Sequence, residues 1–118
     1  MSAYRKGYRV EELAKEYMLR KYNAVCVRSG GSHGVADLIC GNCEEVFAVQ
    51  VKSGKRLPRI SWSELEEFAK YFKATPMVLF KPDYREFLEA RSEQELEEIR
   101  EYLKNIKKKK RRKAGQGR

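Results

Sequence analysis

The sequence predicts an α/β fold in which a mixed β-sheet of about five strands is flanked by helices, in the order αβββαββα. Three observations carry the prediction. Three segments repeat apolar residues at three- and four-residue spacing, four short runs are rich in Val, Ile and Phe with a fifth strand-like run after Pro82-Asp83, and Gly, Asn and Pro mark the joints between them. At 118 residues the chain can bury one core, so a single globular unit over residues 1–103 and a basic, disordered tail over 104–118 are expected.

From Arg9 to Tyr22, Val10, Leu13, Ala14, Tyr17 and Met18 form one stripe of an amphipathic helix, which Asn23 ends. Ala24 to Ser29 and Val35 to Gly41 are short strand-like runs separated by Gly30-Gly31-Ser32-His33-Gly34. Glu45 to Ser53 is dense in Val and Phe, so Val35 to Ser53 predicts a hairpin with its turn near Asn42, packed on the first helix. Ser61-Trp62-Ser63-Glu64 has the pattern of a capping box, and Leu65, Phe68, Ala69 and Phe72 continue it as a helix ending before Pro76. Pro76 to Pro82 reads as a buried strand; Tyr84 to Arg91 fits either a final strand or a helical turn, and Pro82-Asp83, which reads as a hairpin turn, favours the strand. Ser92 with Glu95 starts the last helix, whose stripe is Leu96, Ile99, Leu103 and Ile106, and mutual repulsion along Lys107–Lys113 is expected to fray it.

The formal charge of +9 is unevenly spread. Residues 104–118 hold nine Lys and Arg and no Asp or Glu, which leaves the rest of the chain neutral overall. Within that body, residues 1–59 carry eleven basic and six acidic groups, whereas residues 60–103 carry six basic and eleven acidic. A body polarised in this way presents a basic face to phosphate, so nucleic acid is the expected partner and a membrane is not. No apolar run approaches the roughly 20 residues of a membrane span, the opening MSAYRKGYRV lacks the apolar core of a signal peptide, and a cytoplasmic location is expected. Three cysteines do not make a secreted disulfide scaffold, so reduced thiols are expected.

Asp37 followed by Gln50-Val51-Lys52 has the spacing of a metal-dependent nuclease site in which an amide replaces one carboxylate. Period-two geometry puts Gln50 and Lys52 on one strand face and turns Val49 and Val51 towards the core. At about 3.3 Å per residue, the twelve residues between Asp37 and Gln50 suffice for two arms and a turn. Hydrolysis of a phosphodiester calls for a hard divalent cation with oxygen ligands; Asp37 offers a carboxylate, and Lys52 can orient the attacking hydroxide. Glu44 and Glu45, or Glu64 and Glu67, are the other acids within reach in sequence. A turn position, core-facing parity and an exposed helix face, respectively, count against them. In isolation, Asp37 and Lys52 would read as a hairpin-end acid and an exposed strand lysine.

The surrounding residues add a resemblance. Arg28-Ser29-Gly30-Gly31-Ser32-His33-Gly34, Asp37-Leu38-Ile39 and Val51-Lys52-Ser53, opened by Tyr4-Arg5-Lys6-Gly7 with Glu11 and Leu13, resemble the archaeal-type Holliday junction resolvases of the PD-(D/E)xK nuclease superfamily. The similarity continues through Leu65, Phe68-Ala69, Phe72 and Pro76, covering roughly residues 4–82. It implies a restriction-endonuclease-like fold and cleavage of four-way DNA junctions with Mg²⁺, or Mn²⁺ in its place. By the same resemblance Glu11, Asp37 and position 50 are metal ligands, Lys52 assists catalysis, and Arg28 and Ser32 meet DNA beside the scissile phosphate. Arg5, Lys6, Arg9, Lys55 and Arg56 complete the expected DNA-facing set. The helix bearing Phe68 and Phe72 is expected to build a homodimer, which suits a two-fold symmetric junction needing two matched cuts.

Two positions depart from the family pattern. Ala36 replaces a proline, a minor change, and Gln50 replaces Asp or Glu. A Gln carbonyl is a neutral ligand that holds a divalent ion more weakly. The alternatives to an active resolvase are a catalytically silent junction-binding paralogue and a nuclease for flaps, single strands or RNA. Cys40-Gly41-Asn42-Cys43 has metal-knuckle spacing, but only Cys26 and His33 are left to complete a zinc site, so a turn flanked by cysteines is the simpler reading. The basic tail is expected to add salt-sensitive phosphate affinity without sequence information.

Overall fold

The computed structural model describes residues 3–29 and 35–116. Along the chain run α1 (Ala3–Tyr22), β1 (Val25–Arg28), β2 (Leu38–Gly41), β3 (Val46–Gly54), α2 (Trp62–Tyr71), β4 (Thr75–Pro82), β5 (Leu88–Ala90) and α3 (Glu93–Gln116), in the expected αβββαββα order. The strands form one sheet ordered β1-β2-β3-β4-β5, with β3 and β4 parallel and the other neighbours antiparallel. α2 supplies the crossover that a parallel pair requires.

Each face of the sheet has its own core. On one face Val10, Ala14 and Met18 of α1 pack on Leu38, Cys40, Phe47, Val49, Val51, Met77 and Leu79. On the other, Leu65 and Ala69 of α2 and Leu96 and Ile99 of α3 enclose Ala48, Val78, Phe80 and Ala90. Fully buried side chains of the size of Phe47, Met18 or Leu65 contribute about 1.5–3 kcal/mol each by leaving water. Phe47, Val49 and Val51 face α1 while Ala48 faces the other helices, so period two places Gln50 and Lys52 on Ala48's side, as expected.

The turns follow from local chemistry. Asn23 takes a left-handed φ of 54° and the Ala24 N–H reaches back to the Met18 carbonyl at 3.3 Å, closing α1. Asn42 accepts from the N–H groups of Glu44 and Glu45 at 2.8 and 2.7 Å, and its own amide donates to the Tyr22 carbonyl, which docks the β2–β3 turn against the end of α1. The turn after Pro82 closes with the Arg85 N–H on the Pro82 carbonyl at 3.2 Å.

Several expectations are corrected. α1 starts at Ala3, ahead of Arg9, and the ladder of β2 begins at Leu38, not Val35. Ser61 precedes α2 in an extended conformation, but its hydroxyl makes no capping bond; it lies 3.5 Å from that of Ser63. The cap forms at α3 instead, where Ser92 Oγ accepts from the Glu95 N–H at 3.2 Å and Glu95 Oε1 from the Arg91 N–H at 3.3 Å. α3 crosses from Leu103 to Lys104 without a break and runs on past Lys107 to Gln116. Lys and Arg are good helix formers, and positive charge near a helix C-terminus is favoured by the dipole.

The cysteines are not all reduced. Cys26 and Cys40 are cross-strand partners in the β1–β2 ladder, their Cα atoms are 3.9 Å apart, and they form a disulfide. A cysteine count cannot reveal a register, and it is the register that brings these two sulfurs together. Cys43 is a free, exposed thiol, and among the described residues no three His, Cys, Asp or Glu side chains gather as a metal site, so the knuckle spacing does not act as one there.

Candidate active site

β2 and β3 part company at Asp37. Its N–H donates to the Val49 carbonyl at 2.8 Å as a last rung, and its own carboxylate Oδ2 then accepts from the Val51 N–H at 2.7 Å. A side chain therefore takes the backbone donor that a residue before Asp37 would have used had the antiparallel ladder continued, and the carboxylate is held in the gap between the strands. Ser29 secures the other edge of this segment, its N–H donating to the Asp37 carbonyl at 3.0 Å and its hydroxyl to the Ala36 carbonyl.

Burial pushes the Asp37 carboxyl above its usual range, against the stabilising Val51 N–H bond. The nearby charge of Glu11 pushes it further up and that of Lys52 pulls it down. The charges of Glu11 and Lys52 thus both reach Asp37: two carboxylates and an ammonium, brought from α1, from the residue before β2 and from β3. By register, Gln50 lies beside Asp37, one position past the Leu38–Val49 pair.

Glu11 is held by Arg28, whose Nε donates to Glu11 Oε1 at 3.0 Å. The same guanidinium pairs with Glu12 Oε1 at 2.6 Å, lies 4.0 Å from the centre of the Tyr8 ring, and donates to the Tyr8 carbonyl at 3.4 Å. Arg28 therefore fastens β1 to α1 and orients Glu11. Its hydrogen bond also holds the Glu12 carboxyl below its usual range. Glu12 was absent from the expected set; its position next to Glu11, one turn before Lys15, gives no signal that it shares the arginine.

The remaining expected residues divide. Arg9, Lys55 and Arg56 are exposed, and Lys52 is half-buried on β3. Arg5 and Lys6 lie on the first turns of α1 by backbone, while Ser32 and His33 fall outside the described residues. Glu45 is ruled out as a substitute ligand because its carboxylate accepts from Thr75 Oγ1 at 2.6 Å, at the opposite end of β3. Glu44, Glu64 and Glu67 are exposed. Phe68 is partly buried in the core beneath α2 and its ring lies 5.2 Å from that of Phe72, which is 47% exposed. Arg59, in the same loop as Lys55 and Arg56, is exposed as well.

The donor set fits a hard divalent cation. Asp37 Oδ2 and Glu11 Oε1 are engaged by Val51 and Arg28, which leaves one oxygen on each carboxylate, with the Gln50 carbonyl as a neutral third. The charge of Glu11 raises the proton affinity of Asp37, a repulsion that a bound cation would relieve.

The family described as archaeal Holliday junction resolvase (Hjc) matches residues 2–114 of this chain. A solved structure of Hjc from Archaeoglobus fulgidus, a Holliday junction resolvase from an archaeal hyperthermophile, is similar at 25% identity and a TM-score of 0.62, covering 71% of this chain and 75% of that one. No curated protein matches.

Proposed function

The chain belongs to the archaeal Holliday junction resolvase family, and from that premise we propose that it is a metal-dependent endonuclease that cuts four-way DNA junctions. The observation that carries the site assignment is Asp37, held between strands by the Val51 N–H and within electrostatic reach of both Glu11 and Lys52.

In this reading Glu11, Asp37 and Gln50 hold Mg²⁺, with Mn²⁺ able to replace it. When bound, the cation would screen the phosphate and acidify a water molecule. Arg28 keeps Glu11 facing Asp37, and the Val51 N–H fixes the rotamer of Asp37, so the two carboxylates are set before substrate arrives. Lys52 donates from its ammonium to the attacking oxygen or to a non-bridging phosphate oxygen. Arg5, Lys6, Arg9, Ser32, Lys55 and Arg56 contact phosphates, which carry position and shape but no base sequence.

Two matched cuts require two sites, and we assign the homodimer to the face shared by α2 and the edge of the sheet. Tyr71 at the end of α2 and Phe72 just past it are exposed; Val25 and Val27 are 69% and 61% exposed on edge strand β1, where Val27 pairs with Ile39, which like Phe68 packs against the second core. An unpaired, apolar edge strand is a natural place for a second copy. Among the described residues no helix is long and apolar enough to cross a membrane, and a cytoplasmic site of action on DNA is part of the proposal.

Cleavage of a labelled four-way junction with Mg²⁺ or Mn²⁺, by the chain itself, by Gln50→Glu and by Asp37→Asn, tests it. Paired cuts by the first two and none by the third are expected. If neither the chain nor Gln50→Glu cuts while both bind the junction, the protein is a binding paralogue. Flap, single-stranded and RNA substrates in the same panel separate junction resolution from a broader nuclease.

A further inference from the structure

We propose that Arg100 is a positioning residue that clamps the loop between β3 and α2 onto α3, so that Lys55, Arg56 and Arg59 on the loop join Lys104 and Lys107 on the helix in one contact strip for the phosphate backbone of a duplex arm. The inference rests on the reading that the loop cations face DNA, and extends it to an element that reading does not include.

The loop from Lys55 to Ser61 has no regular structure of its own. Its start is tied by the Asp83 N–H to the Gly54 carbonyl at 3.3 Å, and its middle by Leu57, which is buried in the core under α3. At and just after Leu57, Arg100 donates from Nη1 to the Leu57 carbonyl at 2.9 Å and from Nη2 to the Pro58 carbonyl at 3.1 Å. Two donors in one rigid plane on two successive carbonyls hold both position and orientation, which a lysine cannot do. Lys55, Arg56 and Arg59 are left exposed, and among the described residues none of them has an ion-pair partner.

Helical spacing then extends the strip. Lys104 and Lys107 are four and seven residues beyond Arg100, on the same face of α3, and both are exposed. At 1.5 Å per residue the face runs about 10 Å from the clamp to Lys107, comparable with about three nucleotides of a strand at 3.4 Å each. On the other side of the clamp the same face carries Glu93 and Glu97, the latter 3.6 Å from Arg100. Glu101, 3.7 Å from Lys104 at the exposed surface, is the one acid in the sequence beyond Arg100, so charge along α3 turns positive within a turn of the clamp and a phosphate backbone is directed from the loop towards the C-terminal half of α3.

The test is junction binding in EDTA, measured by fluorescence anisotropy as log Kd against log[KCl] from about 50 to 200 mM, well below each variant's thermal midpoint. Removing one cation from the phosphate backbone should lower the slope by about 0.9, or about 3.5-fold in Kd across that range. The triple variant K55A/R56A/R59A should lower the slope by about two to three times that amount, and K104A/K107A by nearly twice. Arg100→Ala removes a single charge, and one bonded to protein, yet should flatten the slope nearly as much as the triple variant and make the triple substitution almost silent when combined with it; Arg100→Lys, which keeps the charge, should not restore it. An unchanged slope in Arg100→Ala, additive effects of Arg100→Ala and the triple variant, or an unchanged slope in K104A/K107A overturns the inference and leaves the function standing. A silent triple variant removes the loop from the DNA interface and the inference with it.

Discussion

Reduction of the Cys26–Cys40 disulfide should lower stability by about 3 kcal/mol. The two cysteines are 14 residues apart, and closing a loop of that length removes about 10 cal/mol/K from the unfolded chain in the entropy model, which is about 3 kcal/mol at 25 °C. For a chain of 118 residues, with an unfolding entropy of roughly 2.1 cal/mol/K per residue, this corresponds to a fall of roughly 12 °C in the thermal midpoint. The loop so closed contains Arg28 and Asp37, the ends of the two strands that frame the site. Calorimetry with and without dithiothreitol, and of Cys26→Ala under oxidising conditions, measures it. A loss below about 1 kcal/mol in both would refute the entropic argument and mean that β1 is held by its ladder with β2 and by the bonds of Arg28 to α1 alone. Equal midpoints for the reduced chain and Cys26→Ala show that the effect belongs to the bond and not to the lost side chain.

Asp37→Asn should abolish cleavage, retain junction binding and raise the thermal midpoint in EDTA. The folded-state pKa of Asp37 is raised, so its charged form costs stability above that pKa, and the gain over the parent should shrink as pH falls through it. Glu89→Gln should destabilise by about 1–3 kcal/mol at neutral pH, because the Glu89 carboxylate accepts from Tyr17, Lys21 and Tyr22 and ties α1 to β5. Burial opposes ionisation of Glu89, but those three donors outweigh it and hold its pKa below the usual range, so the difference from the parent should vanish as pH falls through the folded-state value. Truncation after Asn105 should flatten the salt dependence of junction binding while leaving the cleavage positions in place; an unchanged slope excludes the basic end of α3 from the interface.

The sequence is most legible where one residue's neighbours decide its state. Asn23, Asn42 and Pro82 mark chain reversals because their own geometry makes them, and the order of elements follows from those joints. The placement of Gln50 and Lys52 is legible for the same reason, since alternation along a strand is local. What depends on partners distant in sequence is not. The disulfide needs the β1–β2 register, the Glu89 network needs α1 to cross the sheet to β5, and Arg100 needs the loop at Leu57 and Pro58 to lie against α3. Ser61 shows the converse limit: its pattern with Glu64 is right for a cap, but its hydroxyl lies against Ser63 instead. Arg28 is visible as a family residue, yet only the structure shows its guanidinium engaged with Glu11 and Glu12.

Gln50 is best understood through the charge balance of the site before a cation binds. Asp37 is already driven towards its neutral form by burial and by Glu11. A carboxylate at position 50, beside Asp37 in the register, would add a second like charge and destabilise the metal-free protein, while strengthening its hold on a divalent ion. Gln50→Glu should therefore lower the thermal midpoint in EDTA, and should gain more than the parent on addition of Mg²⁺, because a ligand stabilises in proportion to how tightly it binds the folded state. A tenfold gain in affinity appears, at saturating Mg²⁺, as about 1.4 kcal/mol of additional stabilisation. The readout needs no cleavage, so it separates ligation from catalysis. If Mg²⁺ raises the midpoints of the parent and of Gln50→Glu by the same amount, position 50 is not a ligand position, and the metal is held by Asp37 and Glu11 without it.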